Sequence, residues 1–91
     1  MKIAVYYLML NNDYPTAGAL LYQKIVGSED ECDKIVLDMD GVSLLPSMFL
    51  NPSLGRLIKE KGLPYLKDKI SFVNIKASDS RRLKEYVARY A

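Results

Sequence analysis

The sequence predicts an α/β fold in which three strands alternate with three helices, in the order β-α-β-α-β-α. Ile35-Val36-Leu37 is an unbroken apolar run, as in the buried strands of parallel sheets. On either side of it, apolar residues recur at intervals of three and four, which is the spacing of one helix face. A chain of 91 residues has the length of one small domain, so we expect residues 1–91 to form a single domain with a largely parallel or mixed sheet.

The first third of the chain predicts a strand followed by a helix. Ile3 to Leu8 is rich in β-branched and aromatic residues, which favours a strand over a short helix. Asn11 to Pro15 supplies turn and capping residues for the helix that follows. Gly27 is expected to end this helix. Its apolar face comprises Ala17, Leu20, Leu21 and Ile25.

The middle of the chain predicts a central strand and a capped helix. Because Ile35 to Leu37 shows no polar alternation, we expect this strand to be covered on both faces. A turn at Asp40-Gly41 follows, and Ser47 is a natural N-cap for a helix that ends near Gly62. If the inward stripe of this helix is Leu50, Leu54, Leu57 and Ile58, one of Met48 and Phe49 must point away from the sheet.

The last third predicts a connector, a strand and a helix. Leu63 to Leu66 is the expected connector, Ile70 to Ile75 the third strand, and Ser78 the cap of the final helix. The inward residues of that helix are Leu83, Tyr86, Val87 and Tyr90. Right-handed crossovers between parallel strands would bring the loops 40–47 and 74–78 to one edge of the sheet, where α/β proteins commonly bind their ligands.

Composition narrows the functions that the chain can perform. With no histidine and only one cysteine, Cys32, the chain lacks the usual zinc and transition-metal ligands, and we expect no cofactor. Carboxylates on both sides of Cys32 disfavour a reactive thiolate. The N-terminal apolar run is too short for a signal peptide, and no segment approaches the roughly 20 apolar residues of a membrane span. We therefore expect a cytoplasmic protein that does not contact membranes.

Charge is distributed unequally along the chain. Residues 1–45 contain three basic and seven acidic residues, whereas residues 46–91 contain ten basic and four acidic residues. A basic half is one feature of nucleic-acid-binding proteins. Here the basic residues are spread over two predicted helices and a turn, which favours an ordinary solvated surface. Nucleic-acid binding is therefore a weaker alternative.

One alternative function is suggested by the end of the central strand. The sequence from Ile35 to Val42 resembles the opening motif of the haloacid dehalogenase superfamily of phosphatases. This resemblance implies Asp38 as the nucleophile and Asp40 as the general acid and magnesium ligand. Such chemistry also requires a lysine and further carboxylates on a later strand, and Asp79 is the only acid close behind one. Without that chemistry, Asp38 and Asp40 would end a strand and shape a turn.

A second resemblance extends over most of the chain, from about residue 14 to residue 90. The features that carry it are the strand end Leu37 to Val42, the helix start Ser47 to Asn51, Gly55, Gly62, and the strand Ile70 to Asn74. Together they are similar to the pattern of the STAS-like domain family of unknown function, relatives of the STAS domains of bacterial anti-sigma factor antagonists.

The STAS-like resemblance implies a regulatory, non-catalytic domain of the bacterial cytoplasm that binds a protein partner, such as a kinase-like ATPase. In the antagonists a serine at the start of the corresponding helix is phosphorylated, and Ser47 is the matching position. The implied contact surface comprises Asp40, Gly41, Ser47, Phe49 and Asn51. Because serine is also a favoured helix cap, Ser47 has two open roles, a phosphosite and a cap. The oligomeric state is left open.

Overall fold

The protein is built from three short strands and a larger set of helices. The computed structural model describes residues 1–31 and 33–90. Its strands are β1 Lys2–Ala4, β2 Ile35–Asp38 and β3 Ile70–Val73. Its helices are α1 Val5–Leu10, α2 Tyr14–Ser28, α3 Ser47–Leu50, α4 Arg56–Lys61, α5 Leu63–Lys69 and α6 Ala77–Ala88. A π-helical turn, Asn51–Gly55, joins α3 to α4. Cys32 lies outside the described residues, so its low reactivity stays a prediction.

The sheet is parallel, and its strands lie side by side in chain order, β1-β2-β3. Ile3 is in register with Leu37, and Leu37 is in register with Phe72. The predicted α/β class and the central position of Ile35 to Leu37 are therefore confirmed.

Only one face of the sheet belongs to the hydrophobic core. Ile35 and Leu37 are fully buried, whereas Val36 and Asp38 are half-buried and lie outside the core cluster. Right-handed crossovers between strands that neighbour each other in chain order all lie on the same side of a sheet. The helices therefore cover one face, and the prediction that β2 is covered on both faces is wrong.

The first strand is shorter than the sequence predicted, because residues 5–10 form α1. β1 ends where its partner ends, since Ala4 lies opposite Asp38, the last residue of β2. Val5 is buried, and Leu8 and Met9 pack against the core, which is the i, i+3, i+4 spacing of a helix. This helical spacing prevailed over the β-propensity of the individual residues.

α2 forms much as predicted and lies very close to α3. The Asp13 carboxylate caps its start by accepting the Thr16 N–H at 2.8 Å. Ala17, Leu21 and Ile25 are buried, as expected, whereas Leu20, also predicted on this face, is half-buried and lies outside the core cluster. The helix continues one residue beyond Gly27. A Cβ at Gly18 would lie 2.4 Å from the carbonyl oxygen of Phe49, so glycine is required at this crossing.

The predicted helix after Ser47 is interrupted by the π-helical turn. Leu50, Leu54, Leu57 and Ile58 are all buried, which confirms the predicted stripe. Pro52 has no N–H for the α-helical bond to residue 48, and a π-helical turn is one way to accommodate that loss. The buried Ser53 hydroxyl donates to the Phe49 carbonyl oxygen at 2.7 Å.

The predicted connector Leu63 to Leu66 is wrong, because α5 occupies that segment. Pro64 lies in the first helical turn, where the missing N–H costs nothing. Gly62 separates α4 from α5 with a φ of +91°.

β3 and α6 lie close to the predicted positions. β3 ends at Val73, and Asn74 follows with a φ of +56°. The N-cap of α6 is Lys76, so the prediction that Ser78 caps this helix is wrong. The inward residues of α6 are confirmed as Leu83, Tyr86, Val87 and Tyr90. Within residues 1–31 and 33–90, no helix combines the length and the apolarity needed to span a bilayer.

Candidate functional site

The carboxyl end of β2 is tied to both neighbouring strands through Asp38. Its Oδ1 accepts hydrogen bonds from the Asn74 side-chain amide at 3.0 Å and from the Asp40 N–H at 3.1 Å. Its Oδ2 lies 3.5 Å from Lys2 Nζ. The Asn74 hydrogen bond, supported by the Asp40 N–H and the charge of Lys2, lowers the pKa of Asp38. The carboxylate therefore links the end of β2 to the start of β1, to the residue after β3 and to the following turn.

The turn after β2 carries two of the predicted contact residues, Asp40 and Gly41, and both are exposed. Gly41 has a φ of +87°, a conformation that residues with a Cβ rarely adopt. A Cβ at Gly41 would lie 3.0 Å from Cγ of Tyr6, so the Tyr6 ring of α1 packs on the turn. The start of the chain thus contributes to the surface that the sequence placed after β2.

Ser47 is the first residue of α3 and not its cap. The N-cap is Pro46, no side chain caps the helix, and the Pro46 carbonyl accepts the N–H groups of Phe49 and Leu50 at 2.9 and 3.0 Å. The predicted N-cap role of Ser47 is therefore wrong by one position. Its hydroxyl instead lies 3.5 Å from Nη2 of Arg82 on α6.

Arg82 also fixes the backbone just before α3. Its Nε donates to the carbonyl oxygen of Leu45. Together with the contact to Ser47, this bond places a guanidinium beside the start of the helix. The sequence-based prediction did not include Arg82, because only the fold brings α6 to this loop.

Met48 and Phe49 take opposite orientations. Phe49 is 1% exposed and Met48 is 60% exposed. Phe49 belongs to the buried core, so its side chain is not exposed at the predicted contact surface, and Met48 presents the exposed side chain beside Ser47. Asn51 is exposed, and its Oδ1 accepts a hydrogen bond from the Tyr86 hydroxyl at 2.6 Å.

Four exposed apolar side chains surround a cavity of about 440 Å³ at this edge of the sheet. They are Tyr6, Leu10, Leu44 and Met48, with exposed fractions of 36%, 55%, 61% and 60%. We call these four residues the carboxyl-edge patch. Asp13, Gly41 and Ser43 also line the cavity. The sequence signal that could have placed Tyr6 beside Leu10 is the helical spacing of residues 5–10, because the two residues are one helical turn apart on α1.

The described residues, 1–31 and 33–90, contain no cluster of three or more carboxylate or thiol groups that could hold a metal ion. Asp38 and Asp40 are joined across the turn by the hydrogen bond that the Asp40 N–H donates to the Asp38 carboxylate. This edge of the sheet therefore has exposed apolar side chains, the hydrogen-bonded carboxylate of Asp38, and Ser47 next to Arg82.

The comparison with protein families decides the classification of the chain. A family described as a STAS-like domain of unknown function matches residues 17–80. The chain belongs to this family. Searches among curated proteins and solved structures found no match. The matched range of this STAS-like domain includes β2, β3 and the segment Asp40 to Asn51. It excludes α1, so Tyr6 and Leu10 of the carboxyl-edge patch lie outside it.

Proposed function

We propose that this STAS-like domain is a non-catalytic module that binds a protein partner through the carboxyl-edge patch and the neighbouring segment Asp40 to Asn51. The observation that carries the proposal is the exposure of four large apolar side chains around one cavity. Contiguous exposed apolar surface on a small domain is typical of interaction sites. Leu44 and Met48 would be the central anchors, because they are the most exposed of the four.

The charges beside the patch indicate the chemistry of the partner. Asp13 lines the cavity, and the Thr16 hydrogen bonds lower the pKa of its carboxyl group, so the group is ionised at neutral pH. Asp40 is exposed on the adjacent turn. A partner with an apolar anchor and basic residues around it would be complementary to this surface. The STAS likeness favours a kinase-like ATPase or another regulator of the bacterial cytoplasm.

Ser47 is the proposed switch of this interaction. A phosphate on Ser47 would add a charge of about −1.5 to −2 next to Met48 and close to Arg82. The local geometry supports this role, because the hydroxyl does not cap the helix and its neighbours are an exposed apolar side chain and a guanidinium. The added charge would oppose docking of an apolar anchor on Met48.

The experiment compares the wild-type chain with a patch variant. Affinity-tagged protein is expressed in the organism in which it naturally occurs, and the proteins that co-purify with it are identified by quantitative mass spectrometry. The affinity for each purified candidate partner is then measured. Leu44→Ser with Met48→Ser should weaken the specific partner at least tenfold. Val73→Ser is the matched control, since Val73 is exposed on the open face of the sheet. Equal affinity of the patch variant and the control would contradict the proposal.

The switch is tested separately with two substitutions at Ser47. Ser47→Ala should keep partner binding, whereas Ser47→Asp should weaken it. Phosphopeptide mapping of the protein from its own cell should find phosphate on Ser47. If Ser47→Asp binds the partner as well as the wild type does and no phosphate is found, Ser47 is not a switch. The docking role of the patch is decided separately, by the Leu44→Ser with Met48→Ser experiment.

A further inference from the structure

A second concave surface lies between α5, β3 and α6. It is a groove of about 620 Å³ that shares no residue with the carboxyl-edge patch. Ile70 and Phe72 of β3 form its floor, Leu63 and Leu66 line the α5 wall, and Leu83 and Val87 line the α6 wall. A volume between about 300 and 1,000 Å³ with a mostly apolar lining is typical of binding sites.

Each wall of this groove carries one lysine. Lys67 lies on α5 and Lys84 lies on α6, and both are exposed. None of the described residues that line the groove is acidic. Neither Lys67 nor Lys84 forms an ion pair with any residue in the ranges 1–31 and 33–90. The groove is therefore an apolar channel with a positive charge on both sides.

We propose that the α5–α6 groove binds an amphipathic helix whose apolar stripe is flanked by acidic residues on both sides. An apolar stripe laid between two helices is a common mode of peptide recognition. The position of the lysines selects this occupant, because Lys67 and Lys84 stand on opposite walls and would each meet one acidic flank. An occupant with acidic groups on one side only would leave the lysine of the other wall without an acidic partner.

The test uses a designed probe and two charge variants of it. A labelled 18-residue helical peptide carries leucines at i, i+3, i+4 and i+7, with glutamates on both flanks of the stripe. The companion peptides carry glutamine or lysine in place of each glutamate. Fluorescence anisotropy should give at least tenfold tighter binding of the acidic peptide than of the neutral one. Amide shifts in NMR spectra should map to Ile70 to Ile75 and to Leu83 to Val87.

Charge reversal on the protein separates a specific groove from general attraction. Lys67→Glu with Lys84→Glu should abolish binding of the acidic peptide and create binding of the basic one. The matched control is Lys24→Glu with Lys59→Glu, which makes the same change of net charge at exposed positions outside the groove. The control should change the affinity less than twofold.

Three results would overturn the inference. The first is that the acidic peptide does not bind, and the second is that both double variants lose binding equally. The third is that laurate, a fatty-acid anion with one carboxylate, binds in the groove while the peptide does not. The inference is independent of the proposed docking role of the carboxyl-edge patch. Accordingly, the variant Leu44→Ser with Met48→Ser should bind the acidic peptide like the wild type.

Discussion

Adding one methyl group at Gly18 or at Gly27 should change stability in opposite directions, although both residues lie in α2. A Cβ at Gly18 would meet the Phe49 carbonyl oxygen at 2.4 Å and Cγ of Pro52 at 2.6 Å. Carbon and oxygen atoms that are not bonded normally stay above about 3 Å, so α2 and α3 would have to move apart. A Cβ at Gly27 has no neighbour within 4 Å in the described part of the chain.

The magnitudes follow from two opposing contributions. Replacing glycine by alanine within a helix stabilises it by about 1 kcal/mol, and by less near a helix end. Overpacking a core costs about 1–3 kcal/mol, and the upper part of this range applies at Gly18 because the closest neighbour is backbone. We therefore expect Gly18→Ala to lower the free energy of unfolding by about 2 kcal/mol. Gly27→Ala, which lies one residue from the end of α2, should raise it by about 0.5 kcal/mol.

Urea unfolding followed by circular dichroism measures both changes, and thermal unfolding gives a second reading. For a domain of this size, 1 kcal/mol corresponds to about 4–8 °C in the melting temperature. Gly18→Ala should therefore melt about 8–16 °C below the wild type. If Gly18→Ala is as stable as Gly27→Ala, the close approach of α2 to α3 is wrong. Equal m-values in the three proteins would show that the denatured states are comparable.

Three further substitutions test the helix contacts and the strand ends. Gly55→Ala should cost about 1 kcal/mol, because a Cβ would lie 2.3 Å from the Tyr86 hydroxyl oxygen, and the overpacking cost of about 1–3 kcal/mol is partly offset by about 1 kcal/mol gained from alanine in a helix. Adding Tyr86→Phe should recover part of that loss in a double-mutant cycle, and simple additivity would contradict the contact. Ser47→Ala should change the free energy of unfolding by less than about 0.5 kcal/mol, since the residue is no cap; a loss above about 1 kcal/mol in urea would refute this. Asp38→Asn should flatten the decline of stability in acid, because the lowered pKa of Asp38 contributes stability above about pH 3.9 that is lost as the pH falls through the folded value. Unfolding curves from pH 7 to pH 2 measure this difference, and parallel curves for the two proteins would contradict it.

The elements that could be predicted are those in which pattern and packing agree. Ile35 to Leu37 is apolar throughout and forms the central strand, and the helical stripe from Leu50 to Ile58 is buried as expected. Both depend on hydrophobic spacing, which the sequence carries directly. The same spacing was present in α1, but the β-propensity of Tyr6 and Tyr7 concealed it.

The remaining wrong predictions lie at residues whose type is compatible with two different local structures. Pro64 indicated a break, but proline also starts helices, and it begins α5 here. Ser47 and Ser78 are good caps by residue type, yet each lies inside its helix, because caps shift readily by one or two positions. Hydrophobic spacing does not predict the π-helical turn, since the buried stripe continues through it.

Within the candidate site, the sequence could predict only the residues that lie close together along the chain. Asp40, Gly41 and Asn51 are exposed as expected, because they lie on a turn and on the outer side of a helix. Tyr6 and Arg82 reach the same edge only through folding, since they lie about 35 residues from Gly41 and from Ser47. Surfaces assembled from distant segments require the topology before they can be recognised.

The chain order of the strands has a kinetic consequence. Lys2 pairs with Val36, and Ile35 pairs with Ile70, so two loop closures of similar length assemble the whole sheet. Closing each loop costs chain entropy before any side chain is buried. If both loops had to close before either strand pair were stable, the entropy cost would be about twice that of one closure. β2 takes part in both closures, so its side chains should be ordered in the folding transition state. Substitutions there should slow folding, whereas substitutions in α6, which follows the last strand, should mainly speed unfolding.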